Sequence, residues 1–149
     1  MLFLVFELDG ERYALDATQL IEVLPLVNLR PLSKAPTGIA GMFDYHGLSV
    51  PAVDLSEVIL GRAALRRLST RMVVVNYPAA DDARHTLGLI AERATATVRL
   101  HPAQFNESGV SNDEMPCLGP VARDAQGLIQ WLAIPQLLPL SVRNVLFQN

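Results

Sequence analysis

Two stretches of this chain share one pattern, and that pattern restricts the fold to small β units used twice. Gly38 to Leu55 reads as a strand, a tight turn at His46-Gly47, a second strand, and a helix starting near Asp54. A looser copy runs from Gly119 to Ile134. In both, a glycine opens the first strand, a turn residue plus glycine (Gly47, Gly127) ends it, and an apolar strand leads into a short helix. None of these positions carries catalytic chemistry, so the repeated hairpin points to a binding scaffold.

The rest of the chain fits around these hairpins. Leu2 to Leu8 and Arg12 to Leu15 are predicted strands joined at Asp9-Gly10, and Asp16 caps a short turn over Ala17-Thr18-Gln19. Leu20 to Leu24 is a third strand, ended by Pro25. Asp54 to Leu60 is a helix that Gly61 terminates, and Gly61 to Thr70 is a connector. Strands follow at Arg71–Tyr77, His85–Ala91 and Ala94–Leu100, with a polar loop holding Asp81-Asp82 and an irregular stretch from Asn106 to Met115. Ile134 to Phe147 is helical, in two short segments because Pro139 breaks it. Each half thus offers five short strands at a period of about 70 residues, a duplication rather than a solenoid. The expectation is mainly all-β: two five-stranded SH3-like barrels packed around a shared hydrophobic core, with short helices including a C-terminal one. The 149 residues form one domain, 1–149, with subdomains at roughly 15–70 and 71–135 between which the terminal segments can cross.

Composition narrows the function. A chain this long buries roughly 70% of its unfolded surface and needs no disulfide or metal to fold. Half of its residues are apolar and only 6% aromatic, so aliphatic side chains carry the core. The net charge is −3 and basic residues are sparse apart from Arg62, Arg66, Arg67 and Arg71, which are read as a solvated connector. Nucleic-acid binding is therefore not expected. The single cysteine, Cys117, fits a reducing compartment. The apolar opening Met1 to Phe6 lacks a basic leader and is read as a strand. No stretch approaches the ~20 apolar residues that cross a bilayer, so a cytoplasmic location without membrane insertion is expected.

Searches for chemistry return nothing. His46, His85 and His101 lie far apart, and no His or Cys lies near Cys117 at metal-ligand spacing. Phosphate-cradling glycine loops and a Gly-x-Ser-x-Gly elbow are absent, and Lys34 is the only lysine. Ser108 and Ser111 belong to the irregular stretch, and the sequon Asn106-Glu107-Ser108 would not be used in a cytoplasmic protein. Asp44 and Asp54 have structural roles, closing a turn and capping a helix. Glu22 is a lone charge between Ile21 and Val23, facing solvent or pairing with a neighbouring strand. No catalytic residue, metal ligand or cofactor is assigned, and the chain is read as a non-enzyme.

With that layout, the chain resembles the CheW-like family of chemosensory coupling proteins, from Phe3 to about Pro139. Phe3-Leu4-Val5-Phe6-Glu7-Leu8 with Tyr13-Ala14-Leu15-Asp16 is similar to the family's first hairpin, and Ile21-Glu22-Val23-Leu24 to its third strand. Ala35-Pro36-x-x-Ile39-x-Gly41 and Gly47-x-x-Val50-Pro51-x-Val53-Asp54-Leu55 follow its most recognisable signature. Leu87-Gly88-Leu89-Ile90 and the segment Gly119 to Leu138 resemble the corresponding parts of its second half. The resemblance implies two intertwined barrels in a non-catalytic adaptor. It would join the cytoplasmic tips of methyl-accepting chemoreceptors to the regulatory domain of a CheA-type histidine kinase, at receptor arrays beneath the inner membrane. Receptor helices would dock between the barrels, and barrel ends would pair with similar barrels in the kinase.

One departure stands out. The family usually has Asn-Leu-Arg-Gly where this chain has Asp44-Tyr45-His46-Gly47, and the family's arginine can pair with the glutamate that Glu22 matches. A histidine is shorter and lacks the guanidinium fork. The change suggests a divergent member serving another chemosensory-type array, such as one for surface sensing or pilus motility. The partner surface is assigned to Glu22, Ile39, Gly41, Tyr45 and His46 in the first barrel, with Gly41 and Gly47 shaping the turn. Leu89, Thr95 and Thr97 are assigned in the second. Rival readings are a kinase-binding competitor that never meets a receptor and a small-ligand-binding double barrel.

Overall fold

A computed structural model describes residues 1–78, 84–107 and 115–147. Asp81, Asp82, Ser108 and Ser111 lie outside the described residues. The elements in chain order are β1 (Leu2–Leu8), β2 (Glu11–Asp16), β3 (Leu20–Pro25), β4 (Ile39–Tyr45), β5 (Leu48–Asp54), α1 (Leu55–Leu60), β6 (Arg71–Pro78), β7 (Arg84–Ala91), β8 (Ala96–Arg99), β9 (Leu118–Asp124), β10 (Gly127–Leu132) and α2 (Leu140–Leu146). Pro139 stands at the N-cap of α2 after a separate 3-10 turn at Ile134–Gln136, so the C-terminal helix is split where proline removes a donor.

The strands form two five-stranded sheets, ordered β8-β1-β2-β10-β9 and β3-β6-β7-β5-β4. The two orders are the same once β1–β2 is matched with β6–β7, and β8–β10 with β3–β5. In both, a hairpin pairs antiparallel with one further strand and parallel with the second strand of another hairpin. The parallel pairings are β2 with β10 and β7 with β5. Each hairpin, however, recruits its three partners from the other repeat. Strands thus cross between the two expected subdomains: β6 and β7 complete the sheet of β3–β5, and β8–β10 complete that of β1–β2. The duplication lies in the sequence, and the strand exchange intertwines its halves.

Both sheets curl until their edges meet, and the same device closes each. The segment after β3 places Arg30 against Met42 of β4, and the segment after β8 places Asn106 against Val121 of β9. Each bridge has two backbone hydrogen bonds, 2.8 and 2.9 Å for the first and 2.7 and 2.8 Å for the second. Gly41 makes the first possible. Its φ is +150°, and a Cβ there would sit 2.5 Å from the Arg30 carbonyl oxygen, which as backbone cannot yield.

Alternation along the strands builds three cores. Phe3 and Val5 point into the first barrel with Ala14, Ile129 and the aromatic pair Phe105 and Trp131. Met72 and Val74 point into the second with Phe43, Val50, Ala52 and Ile90. Leu4, Phe6, Leu8, Val73 and Val75, on the opposite faces of the same strands, enter a core shared by both barrels. Strands buried on both faces explain the unbroken apolar runs at Phe3–Phe6 and Met72–Val75. Leu4, Phe6, Leu8, Leu15, Leu87 and Leu89 in the shared core contribute about 1.5–3 kcal/mol each. Their sum is of the same order as the ~5–15 kcal/mol net stability of a whole domain, so the shared core is a main contributor to holding the barrels together.

The connector after α1 is built in, contrary to its reading as a solvated linker. Asp54 caps α1 through Oδ1, which accepts from Ser56 N and Glu57 N, while Oδ2 accepts from Ala64 N at 2.8 Å. Arg62 reaches Glu92 at the end of β7 (2.9 Å) and Asp9 in the β1–β2 turn (2.7 Å), joining the two barrels. Glu92 is buried, and its carboxylate also accepts from the Ser56 hydroxyl and from Leu65 N. Burial alone would raise its pKa. The hydrogen bonds from Ser56, Arg62 and Leu65 outweigh burial and hold it below the ordinary glutamate value. Arg66 and Arg67 are exposed as expected.

Candidate functional site

One end of the β3–β7 barrel carries a polar cluster assembled from its two edge strands. The β4–β5 hairpin turns at His46-Gly47, both with positive φ (51° and 86°), as a two-residue turn matching strand twist requires. Asp44 Oδ1 accepts from Gly47 N at 2.9 Å and fixes the turn. This aims Tyr45 back across the barrel mouth, where its hydroxyl donates to Glu22 Oε1 at 2.7 Å. Because β3 and β4 are opposite edges of one sheet, that bond clasps the barrel shut beside the Arg30 bridge. The bond to Glu22 holds the Tyr45 phenol above its ordinary pKa. The His46 ring meets the Tyr45 ring edge-on at 4.4 Å, and its Nε2 lies 3.9 Å from Glu22 Oε1. The Glu22 and His46 side chains are 44% and 76% exposed, so the cluster is open to a partner.

The second feature is a groove between the barrels. Edge strand β3 of one and edge strand β8 of the other face each other across a depression of about 400 Å³. Its walls include Leu4, Val23, Arg71, Thr95 and Thr97. Val23, Thr95 and Thr97 are exposed there, giving a mixed aliphatic and hydroxyl surface.

At the corresponding end of the other barrel the charges pair with each other, beside a depression of about 520 Å³ that they help to line. Arg12 on β2 forms a bidentate pair with Asp124 at the β9–β10 turn, at 2.7 and 2.9 Å, with side chains 10% and 19% exposed. Hydrogen bonding to Arg12 holds the Asp124 carboxyl below its ordinary pKa.

Comparison with known proteins bears on what these surfaces serve. The family model for the CheW-like domain matches residues 2–141. The chain belongs to the CheW-like family. The CheW-like fold also aligns with the crystal structure of the scaffolding protein TtCheW from Thermoanaerobacter tengcongensis. The TM-score is 0.80 at 18% identity, over 95% of this chain and 89% of that one. No curated protein matches the sequence.

Within this CheW-like chain the residues assigned from sequence separate into three groups. Glu22, Tyr45 and His46 come together in the open cluster, and Thr95 and Thr97 line the groove. Ile39, Gly41 and Leu89 do not belong to an accessible surface, which corrects their assignment. Ile39 and Leu89 are buried in the shared core, and buried Gly41 serves the Arg30 bridge. Leu89 sits in the run Leu87 to Ile90, whose lack of polar alternation marks a strand buried on both faces. Val23 and Leu48 were missed. Val23 is the residue next to Glu22 on a strand of mixed polarity, and Leu48 is the cross-strand partner of Tyr45.

Among the described residues no group of three His, Cys, Asp or Glu side chains converges as a metal site. Cys117 is buried, and burial pushes its thiol pKa up, away from the reactive thiolate. No helix among the described residues is long and apolar enough to cross a membrane.

Proposed function

We propose that this protein is a chemosensory scaffold that couples the cytoplasmic tips of methyl-accepting chemoreceptors to the regulatory domain of a CheA-type histidine kinase. It works by holding partners in a fixed geometry rather than by catalysis. The observation that carries this is the groove between β3 and β8 in a chain of the CheW-like family. It is a cleft with exposed aliphatic and hydroxyl walls, and Glu22 of the open polar cluster is the neighbour of Val23 in its β3 wall. A receptor helix would lie along the groove, and a barrel end would meet a similar barrel of the kinase. The protein would then sit in the cytoplasm at receptor arrays. Tyr45 and His46 replace a Leu-Arg pair usual in the family, which favours a specialised array such as one for surface sensing or pilus motility.

Rigidity supports a coupling role. The shared core and the Arg62 contacts to Glu92 and Asp9 fix the two barrels relative to one another. A receptor-induced displacement at the groove would therefore pass to the barrel ends as motion of one body.

The deciding experiment is titration with the regulatory domain of the CheA-type kinase encoded nearest this gene, and separately with a receptor-tip fragment from the same cell. Micromolar binding to both, with groove substitutions such as Thr97→Arg weakening only the receptor, supports the adaptor. Kinase binding without receptor binding would make the protein a competitor for the kinase barrel instead. Failure to bind either would end the adaptor proposal.

A further inference from the structure

The rim cluster holds a carboxylate, Glu22, that no lysine or arginine among the described residues pairs with. Glu22 Oε1 accepts one hydrogen bond from the neutral Tyr45 phenol. His46 Nε2, at 3.9 Å, is beyond hydrogen-bond range. Among the described residues no lysine or arginine forms an ion pair with Glu22, whereas Asp9, Glu92 and Asp124 each have an arginine. A second carboxylate, Asp44, lies in the same hairpin with Oδ1 engaged by the backbone of its own turn. Beside these charges is carbon surface: the Tyr45 ring and its cross-strand partner Leu48, which is 59% exposed.

We propose that this rim seats an arginine carried on an apolar protein segment of the partner. A carboxylate accepts up to about four hydrogen bonds, so Glu22 can keep the Tyr45 hydroxyl and still take a guanidinium. The planar group can also stack on an aromatic ring such as Tyr45 while its aliphatic stem covers Leu48. Lysine would supply the charge without the fork or the flat face. An acidic segment would meet Glu22 and Asp44 and be repelled. The proposal rests on the adaptor reading only in taking the partner to be a protein, and it names the chemistry of one contact that the partner must supply.

The test uses the full chain, labelled with 15N, and three 20-residue helical peptides with the same aliphatic face. They differ only in one central residue: arginine, glutamine or glutamate. The arginine peptide is expected to shift the amides of Glu22 and Tyr45 to Leu48, and to bind about fivefold more tightly than the glutamate peptide. Glu22→Gln should remove that preference, and Glu22→Lys should reverse it toward glutamate. Equal binding of all three peptides, shifts confined to other surfaces, or binding by none would overturn the proposal. The adaptor reading is judged separately by the kinase and receptor-tip titrations, so either can fail while the other stands.

Discussion

The two barrels share strand order and closing bridge, yet they finish their ends in different ways. The β1–β2–β8–β9–β10 barrel is filled by an aromatic group, Phe3 and Phe105 with Trp131, at centroid distances of 5.0 to 5.4 Å. Its rim charges are sealed off in the Arg12–Asp124 pair, which also lines a depression of about 520 Å³. The β3–β7 barrel is filled mainly by aliphatic side chains around Phe43, which packs where Gly88 leaves room, and its rim stays open. A sheltered bidentate pair satisfies its own charges and offers a partner little. An exposed carboxylate held by a phenol remains available. One topology therefore yields a barrel end suited to stability and another suited to recognition, and the difference lies in a few side chains.

The sharpest way to break this comparison is at the equivalent small residues of β2 and β7. Ala14 and Gly88 both pair in parallel with the second hairpin, Ala14 opposite Trp131 and Gly88 opposite Ala52. A Cβ at Gly88 would lie 2.4 Å from the Phe43 ring and 2.7 Å from Met72 Sδ. Gly88→Ala should therefore cost about 2–3 kcal/mol through overpacking, whereas Ala14→Gly should cost about 1 kcal/mol, chiefly in backbone entropy. Urea unfolding measures both. Equal costs would mean that the two interiors are packed alike.

Acid should act next most strongly, and through the sealed features rather than the open rim. Glu92 and Asp124 both have pKa values lowered by folding. Their stabilisation is complete above the unfolded carboxylate values of about 4, and is lost as pH falls below them through the folded values. The urea midpoint should hold steady from pH 7 to about 5 and drop below that. Removing Arg12 should reduce the size of the drop. An Arg12→Ala variant with an unaltered acid profile would take Asp124 out of this account.

Smaller again is the direct comparison of the two rims. Arg12→Ala should cost about 1 kcal/mol, because the pair it breaks is only partly shielded from solvent. Tyr45→Phe removes the clasp on Glu22 at an exposed site and should leave the unfolding midpoint in place. A midpoint that fell as far for Tyr45→Phe as for Arg12→Ala would make the clasp structural and weaken its place in recognition.

How legible these differences were depended on how far apart in the chain the interacting residues lie. The hairpins, the Asp54 cap and the break at Pro139 were readable because each is set by a few neighbouring residues. The exchange of strands came only through the family resemblance and has no local sign. It rests on parallel pairing of β2 with β10 and of β5 with β7, between segments with no turn to join them. Arg62 gave no local sign either, since its partners Asp9 and Glu92 lie 53 and 30 residues away. At the rim, Glu22 was identified as a charge in search of a neighbour. Its partner proved to be Tyr45 more than His46, because the phenol reaches across the barrel mouth while the imidazole stops short.

That geometry frames the last prediction, where stability should change least and binding most. His46 is 76% exposed and touches the clasp without bonding to Glu22. In His46→Arg the longer guanidinium can cover that gap and form a bidentate contact with the carboxylate. The open rim would then resemble the sealed one, with its charge satisfied from within. The fold should be retained, with an unchanged urea midpoint and the same far-UV circular dichroism. Affinity for the receptor-tip fragment should change, because Glu22 no longer presents a free acceptor. Unchanged affinity would remove His46 from the recognition surface and leave Tyr45 and Glu22 as its polar core.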